Sequence, residues 1–177
     1  MKPEGSLILV GMMGAGKTTV GRLLARRLKR RFYDSDVEVE RRCGVRISVI
    51  FDIEGEAGFR SREMQVIADL CALDNTVIAT GGGAVLAAEN RRAMTARGSV
   101  VYLHAHPAQL WQRVRHDRNR PLLATPDPEK KLEELYAQRD PLYREVADLV
   151  VDTGKQSVQA LAKELLARLD GTCSLSA

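Results

Sequence analysis

The sequence Gly11-Met12-Met13-Gly14-Ala15-Gly16-Lys17-Thr18 matches the pattern G-x-x-x-x-G-K-[ST] in full, with an apolar run before it and a helical pattern after it. Glycines allow left-handed backbone angles and close approach, so successive amide N–H groups converge on one concavity. A helix beginning near Gly16 points the positive end of its dipole into the same place. Lys17 then reaches terminal phosphates as a point charge, and the Thr18 hydroxyl is suited to magnesium. The motif specifies nucleoside triphosphate binding. It leaves the reaction open.

Other motifs narrow the reaction. The N-K-x-D element of a guanine-nucleotide switch and the L-S-G-G-Q-like signature of a transport ATPase do not occur in the sequence. The apolar run Thr76–Thr80 ends in Thr80-Gly81-Gly82-Gly83, without the acidic residue common in motor-type ATPases. Magnesium therefore needs another acidic partner, and Asp34 and Asp36 of Phe32-Tyr33-Asp34-Ser35-Asp36 are the candidates. Two carboxylates at i and i+2 on an extended chain point the same way. One would order a magnesium-bound water while the other accepts a hydrogen bond from an acceptor hydroxyl. The plain alternative is a capping or turn role.

These residues need elements to hold them. Ser6–Val10, Arg31–Asp34, Thr76–Thr80, Val100–Leu103 and Leu149–Asp152 read as five short strands, with the continuous hydrophobicity of a parallel sheet buried on both faces. Helical stripes lie between them: Val20, Leu23, Leu24 and Leu28; Leu110, Trp111 and Val114 behind Pro107; Leu132, Leu135 and Tyr136 behind Asp127-Pro128; and Val158, Leu161, Leu165 and Leu169. Strand–helix alternation predicts an α/β fold with right-handed crossovers. Gly44–Leu73, about two helices long, and the polar, basic Arg115–Asp127 fit this alternation badly. Such insertions grip substrates or cover a site.

The 177 residues suit one compact domain without metal or disulfide staples, and 45% apolar with 28% charged residues is ordinary for a globular chain. The net charge is +4, and 20 of the 27 basic residues are arginine, whose planar fork matches carboxylate and phosphate. Cys43, Cys71 and Cys173 are odd in number and form no C-x-x-C, which predicts free thiols in a reducing compartment. The opening Met1-Lys2-Pro3-Glu4-Gly5 lacks the apolar segment of a signal peptide. The longest uncharged stretch, Asn75–Ala88, is too short to span a membrane. A cytoplasmic monomer is expected.

Taken together, G-M-M-G-A-G-K-T-T, F-Y-D-S-D, G-E-A-G-F-R-S-R-E, T-G-G-G, R-P-L-L and R-D-P-L-Y resemble the shikimate kinase family, whose members phosphorylate a polyhydroxylated cyclohexene carboxylate in aromatic amino-acid biosynthesis. The six motifs occur in the family's order and span nearly the whole chain, from about Ser6 to Leu169. The resemblance implies a nucleoside-monophosphate-kinase-like P-loop fold: a five-stranded parallel sheet, a helical substrate-binding insertion over about 35–63 and a lid over about 115–127. It implies ATP and shikimate as substrates and Mg2+ as cofactor. Gly14, Ala15, Gly16, Lys17, Thr18 and Thr19 would cradle the ATP phosphates. Thr18 would bind magnesium, and Asp34 would support it through water. Asp36 would hold the ring hydroxyls and orient or deprotonate the one attacked. Arg60 and Arg139 would clamp the carboxylate, with Gly82 contacting it through backbone N–H. Arg120 would meet the transferring phosphate, and Arg113 and Gln156 would flank the adenine. The turn Thr153-Gly154-Lys155-Gln156-Ser157 lacks a proline found in some members, and the tail Gly171–Ala177, outside the motif set, is expected to be frayed.

His104 and His106 have no acidic or thiol neighbour at zinc spacing, and a loop or helix-entry role suits them better. Arg22, Arg26, Arg27, Lys29, Arg30 and Arg31 form a basic cluster that a nucleic-acid binder would use. With 5% aromatic residues to stack on bases, a solvated face is the better reading. Another small-molecule kinase on the same scaffold, such as a gluconate kinase, remains the alternative.

Overall fold

A computed structural model describes residues 5–117, 121–154 and 156–173, with the backbone alone from residue 170. Arg120 thus lies outside the described residues. The expected strands form β1 (Ser6–Val10), β2 (Arg31–Asp34), β3 (Thr76–Ala79), β4 (Gly98–His104) and β5 (Leu149–Asp152). They make one sheet in the order β2-β3-β1-β4-β5, and all the strand pairs are parallel. Apolar residues of β1, β3 and β4 are buried on both faces, as their unbroken hydrophobicity requires. β4 starts earlier than its apolar run because Gly98 and Ser99 extend the pairing with Ser6 and Leu7.

The helices are α1 (Lys17–Leu28), α2 (Ser35–Cys43), α3 (Ile47–Cys71), α4 (Ala88–Arg97), α5 (Pro107–Val114), α6 (Pro128–Val146) and α7 (Val158–Cys173). The crossovers β1–α1–β2 and β3–α4–β4 run in opposite directions across the sheet. Right-handedness therefore puts α1 and α4 on opposite faces. α1 packs against α7, α3 against α2 and α4, and α5 against α6. Asp127 caps α6, accepting from the Lys130 N–H at 3.1 Å ahead of Pro128. His106 caps α5, accepting from the Ala108 N–H, which is the helix-entry role expected of it.

The stretch read as about two helices long is α3, two helical arms between which Gly55 turns the chain with a φ of 69° and ψ of −174°. Two features depart from the sequence reading. α4 carries no amphipathic stripe, since only Asn90 and Met94 of its ten residues are buried. α7 runs on to Cys173, into the tail expected to fray, because one glycine near a helix end costs only about 1 kcal/mol. Cys43 and Cys71 are free thiols, and burial pushes the Cys71 thiol up to about 12. Among the described residues, no helix is long and apolar enough to cross a membrane.

Candidate active site

β1 is the central strand, and the chain leaves it toward one side of the sheet and returns on the other. That switch point, at the carboxyl ends of parallel strands, is where such sheets bind ligands. The phosphate loop sits there. Gly14 and Gly16 take left-handed φ angles of 78° and 92°, and α1 begins at Lys17. Met12 and Met13 are buried behind the loop. Lys17 Nζ donates to the carbonyls of Gly11 at 2.7 Å and Met12 at 2.9 Å, folded over its own loop. The Thr18 hydroxyl donates to Asp34 Oδ2 at 2.7 Å.

Asp34 has two tasks. Its Oδ1 accepts from the N–H groups of Asp36 and Val37, capping α2, while Oδ2 faces Thr18. The capping and metal-site readings are therefore compatible. Asp36 does not lie on extended chain as its spacing from Asp34 suggested, because α2 already begins at Ser35. Both carboxylates nevertheless line a cavity of about 370 Å3 with the loop residues Lys17, Thr18 and Thr19.

Arg113 reaches from α5 to this loop. It donates to the Gly14 carbonyl at 3.1 Å and to the Thr153 hydroxyl and carbonyl at 3.2 and 2.8 Å, tying the loop to the turn after β5. In the same turn, Gln156 donates to Glu164 at 2.8 Å.

A second cavity, of about 720 Å3, opens beside the first and shares Met13, Asp36 and Gly82 with it. Its walls come from α2, both arms of α3, the T-G-G-G turn, the segment around Pro121 and Leu122, and Arg139 of α6. The Gly81 N–H donates to the buried Ser35 hydroxyl at 2.8 Å, joining the turn to the start of α2. A Cβ on Gly81 would lie 2.5 Å from Asp36 Oδ1 and 2.6 Å from Glu63 Oε1, so the two carboxylates press against this glycine.

Two arginines face different electrostatic environments in this cavity. Arg60 pairs with Glu63 at 2.7 Å and Glu56 at 2.8 Å, and its guanidinium lies 5.1 Å from the Phe59 ring centre. Burial works against its charge, but the two glutamates outweigh it and hold its pKa above the ordinary value. Glu63 is 1% exposed; burial raises its carboxyl pKa even against the pull of Arg60. Arg139 is 2% exposed, its Nε has no hydrogen-bond partner among the described residues, and burial lowers its pKa. The fully buried Tyr143 donates its hydroxyl to the Gly82 carbonyl.

The fold thus gathers Asp34, Asp36, Arg60, Gly82 and Arg139 around the two cavities, and Arg113 beside the loop. Sequence reasoning singled out neither Glu63 nor Tyr143. Both carried a signal: Glu63 stands three residues after Arg60, and Tyr143 four after Arg139, the spacings at which side chains on one helix meet.

A phosphate loop at the switch point of a parallel sheet, opening onto a small pocket lined with arginine and carboxylate, defines a P-loop kinase of small molecules. The shikimate kinase family model matches residues 13–170. A shikimate kinase of Burkholderia pseudomallei (strain 1710b) is 59% identical over 168 residues, 95% of this chain and 91% of that protein. The structure of an Acinetobacter baumannii shikimate kinase in complex with shikimate superposes with a TM-score of 0.93 at 47% identity, covering 96% of this chain and 95% of that one. The chain belongs to the shikimate kinase family. A gluconokinase from Sinorhizobium meliloti, at 18% identity and a TM-score of 0.59 over 98% of each chain, shares the fold alone.

Proposed function

We propose that the chain transfers the γ-phosphate of ATP to the 3-hydroxyl of shikimate, giving shikimate 3-phosphate and ADP, and that the two cavities hold the two substrates. The observation that carries this reading is Arg139, a buried guanidinium with an unpartnered Nε at the wall of the larger cavity. An uncompensated buried cation is costly, and a carboxylate is the anion its fork fits in two-point geometry. Arg60 supplies the second fork, and the Gly82 N–H a neutral donor.

On the nucleotide side, Gly14 to Thr19 receive the phosphates, and Lys17 exchanges its loop carbonyls for phosphate oxygens. The Thr18 hydroxyl and the Asp34 carboxylate, 2.7 Å apart beside the loop, are hard oxygen donors that fit Mg2+, Asp34 acting through water. Bound there, magnesium would supply positive charge beside the phosphates. Asp36, at the junction of the cavities, takes the proton of the attacked hydroxyl as its oxygen bonds to the γ-phosphorus and the bond to the β–γ bridging oxygen breaks.

Arg120 meets the transferring phosphate from the lid, over about 115–127, whose Pro121 and Leu122 line the acceptor cavity. Closure excludes water, which would otherwise take the phosphate. Arg113 and Gln156 flank the adenine. The chain works as a single cytoplasmic domain and a monomer, with small-molecule substrates and neither nucleic acid nor membrane as partner.

The test is ADP release from magnesium-ATP with shikimate, gluconate and nucleoside monophosphates supplied one at a time. Turnover with shikimate alone is expected. Turnover with another acceptor and none with shikimate would overturn the assignment of Asp36, Arg60 and Arg139.

A further inference from the structure

We propose that Tyr143 is a positioning residue for the acceptor's carboxylate, its hydroxyl holding the Gly82 carbonyl and so the backbone of the turn that faces Arg139. The proposal rests on the reading above, in which Arg139 and Gly82 receive that carboxylate.

Tyr143 lies one helical turn beyond Arg139 on α6, so the two side chains emerge on one face. It is fully buried, its ring packs on Tyr102 with centroids 4.9 Å apart, and its oxygen lies 3.7 Å from Met12 Sδ behind the phosphate loop. A phenol in that position needs hydrogen-bond partners. The hydroxyl donates to the Gly82 carbonyl, with Met12 Sδ as a second, weaker acceptor, and the Arg139 guanidinium stands beside that glycine, its Nη1 3.7 Å from where a Cβ on Gly82 would lie.

The direction of this bond is fixed by chemistry. A carbonyl only accepts and is a stronger acceptor than a thioether, so the single phenolic proton points to Gly82. Burial pushes the phenol's pKa upward, keeping that proton in place.

The turn needs such a restraint. Gly81, Gly82 and Gly83 have no side chains to pack, and a Cβ on Gly83 would run into the Arg60 guanidinium. Glycine suits the close approach but leaves the backbone loose. In a trans peptide the C=O and the following N–H point in opposite directions, so holding the Gly82 oxygen also aims the Gly83 N–H away from Tyr143. One hydroxyl therefore sets the backbone of the turn against which one of the two cationic forks stands.

Tyr143→Phe keeps the ring and removes only the bond to Gly82. The expected result is a shikimate KM raised about tenfold, with the ATP KM within about twofold of the parent. In an Arg139→Lys background, where the fork is already lost, the same change should add less than about threefold. A shikimate KM within twofold of the parent would overturn the proposal, as would a parallel rise in the ATP KM or a full tenfold loss repeated in the Arg139→Lys background. If Arg139→Lys alone leaves the shikimate KM unchanged, the carboxylate assignment falls first and the proposal with it. Should Tyr143→Phe not fold, 3-fluorotyrosine at position 143 nearly preserves the shape while making the hydroxyl a more acidic, stronger donor to Gly82. A change of about twofold or more in shikimate KM at unchanged thermal stability supports the positioning role, and no change overturns it.

Discussion

Asp34 and Asp36 are chemically identical and two residues apart, yet the chain gives them different work. Asp34 is held by the α2 N–H groups on one oxygen and by Thr18 on the other, which suits a fixed anchor beside the phosphates. Asp36 borders both cavities, which in the proposed function lets one carboxylate meet the acceptor hydroxyl next to the phosphate loop. Asp36→Asn keeps the shape and removes the basicity. Turnover should fall by about 10²- to 10⁴-fold, the usual range for a lost general base, while nucleotide affinity stays within about threefold. Initial rates with both substrates saturating, and ATP-analogue binding by calorimetry, measure the two quantities. Normal turnover with weakened nucleotide binding would take the acceptor role away from Asp36.

Among the elements, the T-G-G-G turn after β3 forms a crowded wall of the cavity proposed for the acceptor. Its Gly81 is pressed by two carboxylates and its Gly83 by Arg60, so neither position has room for a methyl group. Gly83→Ala must push the Arg60 guanidinium aside. The shikimate KM should rise about tenfold with the ATP KM unchanged, because the phosphate loop is built from a different turn. Equal losses for both substrates in steady-state kinetics would mean that the whole sheet edge had shifted instead.

Much of this level was legible in the sequence. The strands announce themselves because a sheet buried on both faces needs unbroken apolar runs, and the α5 and α6 starts because Pro107 and Pro128 follow capping residues. α4 stayed silent because it buries too little to leave a stripe. The break at Gly55 was hidden because a glycine within a helical pattern does not reveal its φ. Glu63 and Tyr143 read as ordinary helix residues because their burial comes from tertiary packing, which brings the turn after β3 against α3 and α6. Arg60 and Arg139 stood out only through the motifs around them.

At the scale of the whole molecule, the acceptor cavity is built at a cost in stability that pH exposes. Burial raises the Glu63 carboxyl above its ordinary value of 4.5, and the Arg60 ion pair does not cancel it. Above pH 4.5 and up to the raised value, the folded chain keeps a proton that the unfolded chain has released. Stability from this group therefore falls as pH rises through that window and remains lower beyond it. Glu38 acts in the opposite sense: the Arg41 hydrogen bond, helped by Arg42, holds it down to about 2. Its contribution is present above pH 4.5 and is lost as the solution is acidified toward about 2. Glu63→Gln removes the first dependence and leaves the second. The variant's unfolding free energy relative to the parent should thus improve steadily as pH rises from about 4.5 toward neutrality, read from urea unfolding at several pH values. A difference independent of pH would mean that Glu63 titrates alike in the folded and unfolded chains. The same variant should bind shikimate more weakly, since Arg60 keeps only the exposed Glu56 as its partner. Relative stability that improves toward neutral pH, together with weaker acceptor binding, is the expected result of neutralising a carboxylate buried to hold an arginine, and a pure packing role for Glu63 would predict a loss of stability independent of pH.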